Sequence, residues 1–251
     1  MGVVVLTYDD LLTTYKTRTH RIRHLKDYAH FFPVNANETL AGIVADLMGD
    51  GNLQKTPVWR IDFTSKDLEE LKRFENEMLR IFNINGKIRP CSTNKYHTYN
   101  IGFNCAPIAR ILYLAGVPAG QKVLQKFGLP NWIKEDKNYF RRFCQRLFTC
   151  EGSINYKLGR SPRIGMNMWK CEEHLNQGRV FFEEIADLMK KYFDIDSKVS
   201  VGSSKNLRKD GIITRPVYIL IPSKATLIFY KEIGFEGEKQ NRLSNILDTK
   251  V

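Results

Sequence analysis

Asp50 and Glu151 each stand immediately before a glycine, in "GDGNL" and "CEGSI", and each closes a stretch with helical spacing. A carboxylate in a last helical turn faces the negative end of the helix dipole and lies beside carbonyl oxygens that the helix leaves unpaired. Both acids therefore weaken their helices locally, which points to another use for the oxygens. Hard oxygen donors suit Mg²⁺, and a metal site shared by two carboxylates suits hydrolysis of a phosphodiester by bound water. The glycine after each acid is expected to be a left-handed cap.

The elements that must position these acids follow from the surrounding pattern. In "TLAGIVADLMGDGNL" small residues recur at every fourth position, Ala41, Ala45 and Gly49, which lets two helices approach backbone to backbone. A partner helix is supplied by an internal repeat. "RIFNINGKI" (80–88) and "KYFDIDSKV" (191–199) pair Phe82 with Phe193 and Ile88 with Val199, and "LAGVPAGQK" (114–122) resembles "EIGFEGEK" (232–239). The first copy predicts a helix at 38–50, strands within 53–63, a helix at 66–82, strands within 86–103 and a helix at 105–115. The second predicts a helix at 137–150, strands at 153–158 and 162–169, a helix at 177–193, strands at 196–203 and 212–221 and a helix at 223–233. In "WRIDF", Trp59, Ile61 and Phe63 share one face and Arg60 and Asp62 the other, so one sheet face is core and the other polar. The expected organisation is a basic N-terminal extension (1–36), a first domain (37–118), a Gly/Pro-punctuated linker (119–136) and a second domain (137–251). The extension predicts one amphipathic helix, with Leu11, Tyr15, Ile22, Leu25, Ala29 and Phe32 on one face and Lys16, Arg18, Arg21, Arg23 and Lys26 on the other.

Thirty-nine Lys and Arg against 27 Asp and Glu leave a net charge of +12 in 251 residues. Without a Lys-rich or Arg/Gly-rich tail, that charge belongs to folded surfaces and fits a nucleic-acid partner. No apolar run is long enough to cross a membrane, and "MGVVVLTYDD" turns acidic too early for a signal peptide. An intracellular, reducing, cytoplasmic location is expected. The five cysteines lack CxxC spacing and read as reduced thiols rather than a zinc site.

The two motifs "IVADLMGDG" (43–51) and "CQRLFTCEG" (144–152), 101 residues apart and each followed by the same order of elements, resemble those of the LAGLIDADG homing endonucleases in their single-chain, two-motif form. The resemblance covers about residues 38–251. It implies an α+β fold of two pseudo-two-fold related αββαββα domains that form a saddle, with the motif helices at its centre and curved sheets in the DNA major groove. It implies a monomer cutting double-stranded DNA with Mg²⁺, for which Mn²⁺ substitutes. Carried over by motif position, Asp50 and Glu151 would hold the metal with Gly49 and Cys150 beside them, and Lys66 and Lys170 would stabilise developing charge or help activate water. Arg60, Asn100, Lys157, Arg163 and Asn167, polar positions of the sheets, would contact DNA. Three residues depart from the pattern. Ser65 stands where glutamine is common, Arg146 where a small residue is usual, and Asp46 where an apolar one is usual; a salt bridge is expected for Asp46. Arg146 is expected to splay the helices or to mark lost packing. An intron RNA splicing cofactor, or a DNA-binding relic that no longer cuts, are the alternatives on the same scaffold. The absence of a Cys or Ser splice-junction start fits a free-standing or intron-encoded protein.

Overall fold

Thr7 opens the first helix through reciprocal bonds with Asp10, a capping box that satisfies donors at the helix start. The computed structural model describes residues 2–17, 19, 27–91 and 97–248. Helix α1 (Tyr8–Thr13) follows strand β1 (Val4–Leu6), which pairs antiparallel with β2 (Val34–Asn35). The single long amphipathic helix expected here is not formed among the described residues. Thr13 and Thr14 turn their hydroxyls back onto Asp10 O and Leu11 O and α1 ends, while Ala29–Phe31 is a 3₁₀ turn. Arg18, Arg21, Ile22, Arg23, Leu25 and Lys26 lie outside the described residues.

By its contacts the chain divides into two units, Met1–Gly120 and Gln121–Val251. In the first, Asn37 Oδ1 accepts from Leu40 N at 2.9 Å and starts α2 (Glu38–Met48), in which Leu40 through Met48 are all buried. Strands β3 (Gly51–Gln54) and β4 (Arg60–Ser65) lead to α3 (Leu68–Phe82), capped by Asp67; β5 (Lys87–Pro90) and β6 (Tyr99–Phe103) lead to α4 (Ala106–Leu114). The antiparallel sheet runs β3-β4-β6-β5. Ile61 and Phe63 pair with Phe103 and Ile101 and face inward, where Phe74 stacks on Phe63 at 4.7 Å. The opposite face carries cross-strand rows, Thr64–Asn100–Arg89 and Asn52–Asp62–Gly102–Lys87. The N-terminal segment is bound into this unit: α1 packs on α4, where the Arg110 guanidinium lies 4.1 Å from the Tyr15 ring centre and 4.5 Å from that of Trp59.

The second unit repeats the order. A short helix α5 (Asn131–Lys134) precedes α6 (Lys137–Glu151), opened by Asp136, whose carboxylate accepts from Asn138 N and Tyr139 N. Then come β7 (Gly152–Asn155), β8 (Arg163–Cys171), α7 (Leu175–Phe193), β9 (Lys198–Val201), β10 (Asn206–Leu207), β11 (Ile213–Ile221), α8 (Thr226–Glu232) and α9 (Gly237–Asp248). Strand β8 lies between β7 and β11, and β9 and β10 pair with successive stretches of the other edge of β11. The expected strand at 196–203 is β9, ending before Gly202, whose N donates to Pro216 O, and the short β10 beyond it is an addition. In each unit the first strand borders the second, the second borders the last, and the last takes on its other edge what lies between them in sequence, β5 in the first unit and β9 and β10 in the second, so the α+β fold is the same αββαββα pattern twice. The repeat extends to the cap of the middle helix. Asn83 and Asp194, 111 residues apart, both take the left-handed conformation, at φ 52° and 56°.

Candidate active site

Asp50 is exposed at the end of the first motif helix, past the cap formed where Gly49 N donates to Ala45 O at 2.8 Å. The following glycine does not serve as a left-handed cap. Gly51 starts β3 opposite Phe63, and a Cβ there would lie 2.6 Å from Leu47 Cα. Gly152, the cap of α6, has φ −79° and ψ 154°, and a Cβ on it would lie 2.3 Å from Phe148 O. Both glycines are demanded by the tight turn from helix straight into strand, which brings backbone against backbone, rather than by φ.

Glu151 is the last residue of α6 and is half-buried. Burial pushes its carboxyl pKa up, and the charges of Lys122 and Lys239 pull against that rise. Lys239, from α9, donates its ammonium to the carbonyls of Gly152 at 2.9 Å, Cys150 at 3.3 Å and Thr149. Three carbonyls of the helix end therefore already converge on a cation, and they, like the Glu151 carboxylate next in sequence, are hard oxygen donors of the kind that Mg²⁺ takes. That donor chemistry fits the expected metal. Among the described residues no group of three or more His, Cys, Asp or Glu forms a cluster that could hold an ion. Lys239 was not legible from the motifs. Its one sequence signal is the repeat: Lys122 and Lys239 each stand two residues past a glycine, Gly120 and Gly237, and both glycines have positive φ, 95° and 57°.

Two of the three motif departures are charges paired within their own units. Asp46 is fully inaccessible and is held by Arg73 at 2.6 and 3.2 Å, with Glu77 3.2 Å from the same guanidinium. Arg146, also fully inaccessible, meets Glu236, which Arg142 shares and whose N donates to Thr149 Oγ1 at 3.0 Å. Within its own unit the Arg146 charge is answered by the segment joining α8 to α9.

Lys66 is exposed just past the end of β4, before the Asp67 cap of α3. Lys170 departs from its expected role. It is 1% exposed, donates to Lys122 O at 2.6 Å and Gln125 O at 3.0 Å, and sits 3.8 Å from the centre of the Phe127 ring. Its ammonium is committed to the segment that leads into the second unit. Burial holds its pKa down at about 8, with Cys171 opposing and Lys122 adding to the fall. On the sheet faces, Arg60 pairs with Asp62 at 2.7 Å and Asn100 donates to Thr64 Oγ1 at 3.2 Å. Asn167 and Arg163 lie on β8, and Lys157 lies in the turn beyond β7 rather than on a strand. Lys157, Arg160 and Arg163 line a cleft of about 440 Å³ with Asn155, Ser161 and Ser223. All five cysteines are free, and no helix among the described residues is long and apolar enough to cross a membrane.

No protein-family model matches the chain. It is 31% identical over 231 residues to the DNA-directed RNA polymerase subunit Rpo1N of Methanocaldococcus jannaschii, a match covering 82% of this chain and 16% of that protein. It is 25% identical over 222 residues to the replication factor C small subunit of the same organism, covering 83% and 12%. To the tRNA-splicing ligase RtcB of Methanopyrus kandleri it is 26% identical over 223 residues, covering 83% and 22%. The chain thus spans less than a quarter of each of these relatives. Among solved structures, it matches the homing endonuclease I-DmoI, in its mesophilic variants, with TM-score 0.53 at 13% identity over 83% of this chain and 97% of that one. The homing endonuclease I-WcaI bound to its DNA recognition sequence gives 0.51 at 11% identity, covering 96% and 98%. The N-terminal LAGLIDADG domain of DUF199/WhiA gives 0.50 at 17% identity, covering 91% and 97%. The fold is that of the LAGLIDADG proteins.

Proposed function

We propose that this chain is a site-specific, Mg²⁺-dependent double-strand DNA endonuclease that acts as a monomer, each acid serving the cleavage of one strand. The observation that carries the reading is the duplicated turn. In both units an acid closes the buried motif helix, and the next glycine passes so close to that helix that a side chain is excluded. Support for a DNA partner comes from I-WcaI and from I-DmoI, which is solved in complex with DNA and Mn. Support for a module independent of its host comes from the relatives. The relatives carry unlike names, an RNA polymerase subunit, a replication factor subunit and a tRNA-splicing ligase, yet each matches about four-fifths of this chain and less than a quarter of its own length.

In this mechanism Asp50 with the carbonyl of Gly49, and Glu151 with the carbonyl of Cys150, would hold the metal. When bound, Mg²⁺ supplies Lewis acidity toward the scissile phosphate and activation of the attacking water. Lys66 stabilises charge developing on the phosphate. The polar sheet faces grip the duplex in its major groove. Arg60 and Asn100 in the first unit and Arg163 and Asn167 in the second reach for base edges and phosphates, and Lys157 with the basic cleft beside it takes the backbone. Lys170 has a positioning role, holding the segment at 122–125 in place.

The test is cleavage of a randomised-site plasmid library with Mg²⁺ beside the Asp50→Asn, Glu151→Gln double variant. One long recurrent site with short staggered ends is expected. In the variant, cleavage should fall by at least 10²–10³-fold, on the order of what one lost electrostatic stabiliser costs, while DNA binding persists. Equal cutting by the variant would overturn the assignment. The competing reading, a protein that binds DNA or intron RNA without cutting, is favoured by the ammonium that already occupies the carbonyls beside Glu151. It predicts salt-sensitive binding with no cleavage in either form.

A further inference from the structure

Lys239 is called for neither by the motif helices nor by the sheet faces. Its contacts with Thr149, Cys150 and Gly152 answer carbonyls that any helix end leaves open, and stabilising α6 is one consequence. Another follows from which oxygens these are. The Cys150 carbonyl is the backbone neighbour of the Glu151 carboxylate, so a divalent ion held by Glu151 would draw on an oxygen that the ammonium already uses. Two cations sharing one oxygen repel each other. The repulsion is strong where the surroundings are half-buried and the local dielectric is low.

We propose that Lys239 is a resident competing cation at the Glu151 corner, which sets how tightly that corner takes a divalent ion. This rests on the reading of Asp50 and Glu151 as metal-holding acids. While the ammonium sits on the carbonyls, the helix end and the Glu151 carboxylate are compensated without metal. A divalent ion must displace the ammonium or share its oxygens, and the Glu151 corner is thereby weakened for metal in the absence of DNA. A phosphate of the duplex brings negative charge that favours both cations together, so metal uptake and DNA binding reinforce each other.

The experiment is Mn²⁺ binding by the full chain without DNA, followed by electron paramagnetic resonance at low ionic strength, for the native protein and for Lys239→Gln, Lys239→Arg and Glu151→Gln. Glutamine keeps N–H donors for the carbonyls and removes the charge, whereas arginine keeps the charge. Lys239→Gln is expected to tighten the Glu151-dependent binding about tenfold, with Lys239→Arg close to the native protein. Thermal unfolding of each variant separates this from loss of the helix end. Glu151-dependent binding of equal or lower affinity in Lys239→Gln would overturn the role of Lys239 and leave the metal assignment standing. No Glu151-dependent binding in any form would overturn the metal assignment itself, and the proposal with it.

Discussion

At the scale of single residues, each motif helix carries one charge in a place without water. Asp46 is answered by Arg73, and Arg146 by Glu236. Such pairs contribute little net stability over an apolar replacement, because desolvation offsets the attraction, but breaking one is costly. Arg73→Met leaves the buried carboxylates of Asp46 and Glu77 without that guanidinium. It is expected to destabilise the first unit by about 3 kcal/mol, read as a fall in the urea midpoint at unchanged slope. The triple variant Asp46→Leu, Arg73→Met, Glu77→Gln, which leaves neither carboxylate behind, should recover most of that loss; a triple variant as unstable as the single one would show that the charge is not the cause. The glycines after the acids were placed correctly by the motif, but for a different reason than a left-handed cap. Gly152 is extended, and its missing Cβ makes room for Phe148 O.

At the scale of elements, Lys170 at the end of β8 clasps the segment at 122–125. Its folded pKa, about 8 against an ordinary 10.5, couples that clasp to pH. Below pH 8 both folded and unfolded chains hold the proton, and the cost of burying the ammonium is fully present. Between about pH 8 and 10.5 the unfolded lysine still binds the proton that the folded one has released, so stability rises with pH through this window. The gain is about 3 kcal/mol at most. Denaturant titrations across pH 7.5–10.5, native against Lys170→Met, check it, and an equal slope in both would remove Lys170 as the source. In the first unit, strands β4 and β6 keep the pattern their sequences announce, because alternation of apolar and polar residues is a local property. Ile61, Phe63, Ile101 and Phe103 are all buried, and Arg60, Asp62 and Asn100 lie on the other face. The N-terminal segment shows the opposite case. Its apolar spacing fits a long helix, but Thr13 and Thr14 bond back to the turn before them and α1 stops.

At the scale of the whole molecule, a net charge of +12 ties affinity to ionic strength. If a handful of phosphates are neutralised, log Kobs should fall linearly with log salt concentration, at a slope of roughly −0.9 per contact. Fluorescence anisotropy on a non-cognate duplex between 50 and 200 mM salt measures it, as an estimate of at least 10²-fold weakening. A flat response would remove the duplex as partner. The Asp50→Asn, Glu151→Gln variant should bind non-cognate DNA at least as well as the native chain, because the loss of two negative charges favours a polyanion.

The sequence by itself determined the repeat, the order of elements in both copies, the core and polar faces of the strands and the positions of Asp50 and Glu151. All of these are set by periodicity and by residue types a few positions apart. Only the tertiary structure decided what faces a buried charge. Glu236 lies 90 residues from Arg146, Lys239 lies 88 from Glu151, and Arg73 lies 27 from Asp46. Lys170 reads as a lysine at a strand end, as Lys66 does, and nothing within several residues of it says that its ammonium is buried. Those partners are chosen by how separate stretches of chain pack, and charges exposed in sequence look alike until packing removes the water around some of them.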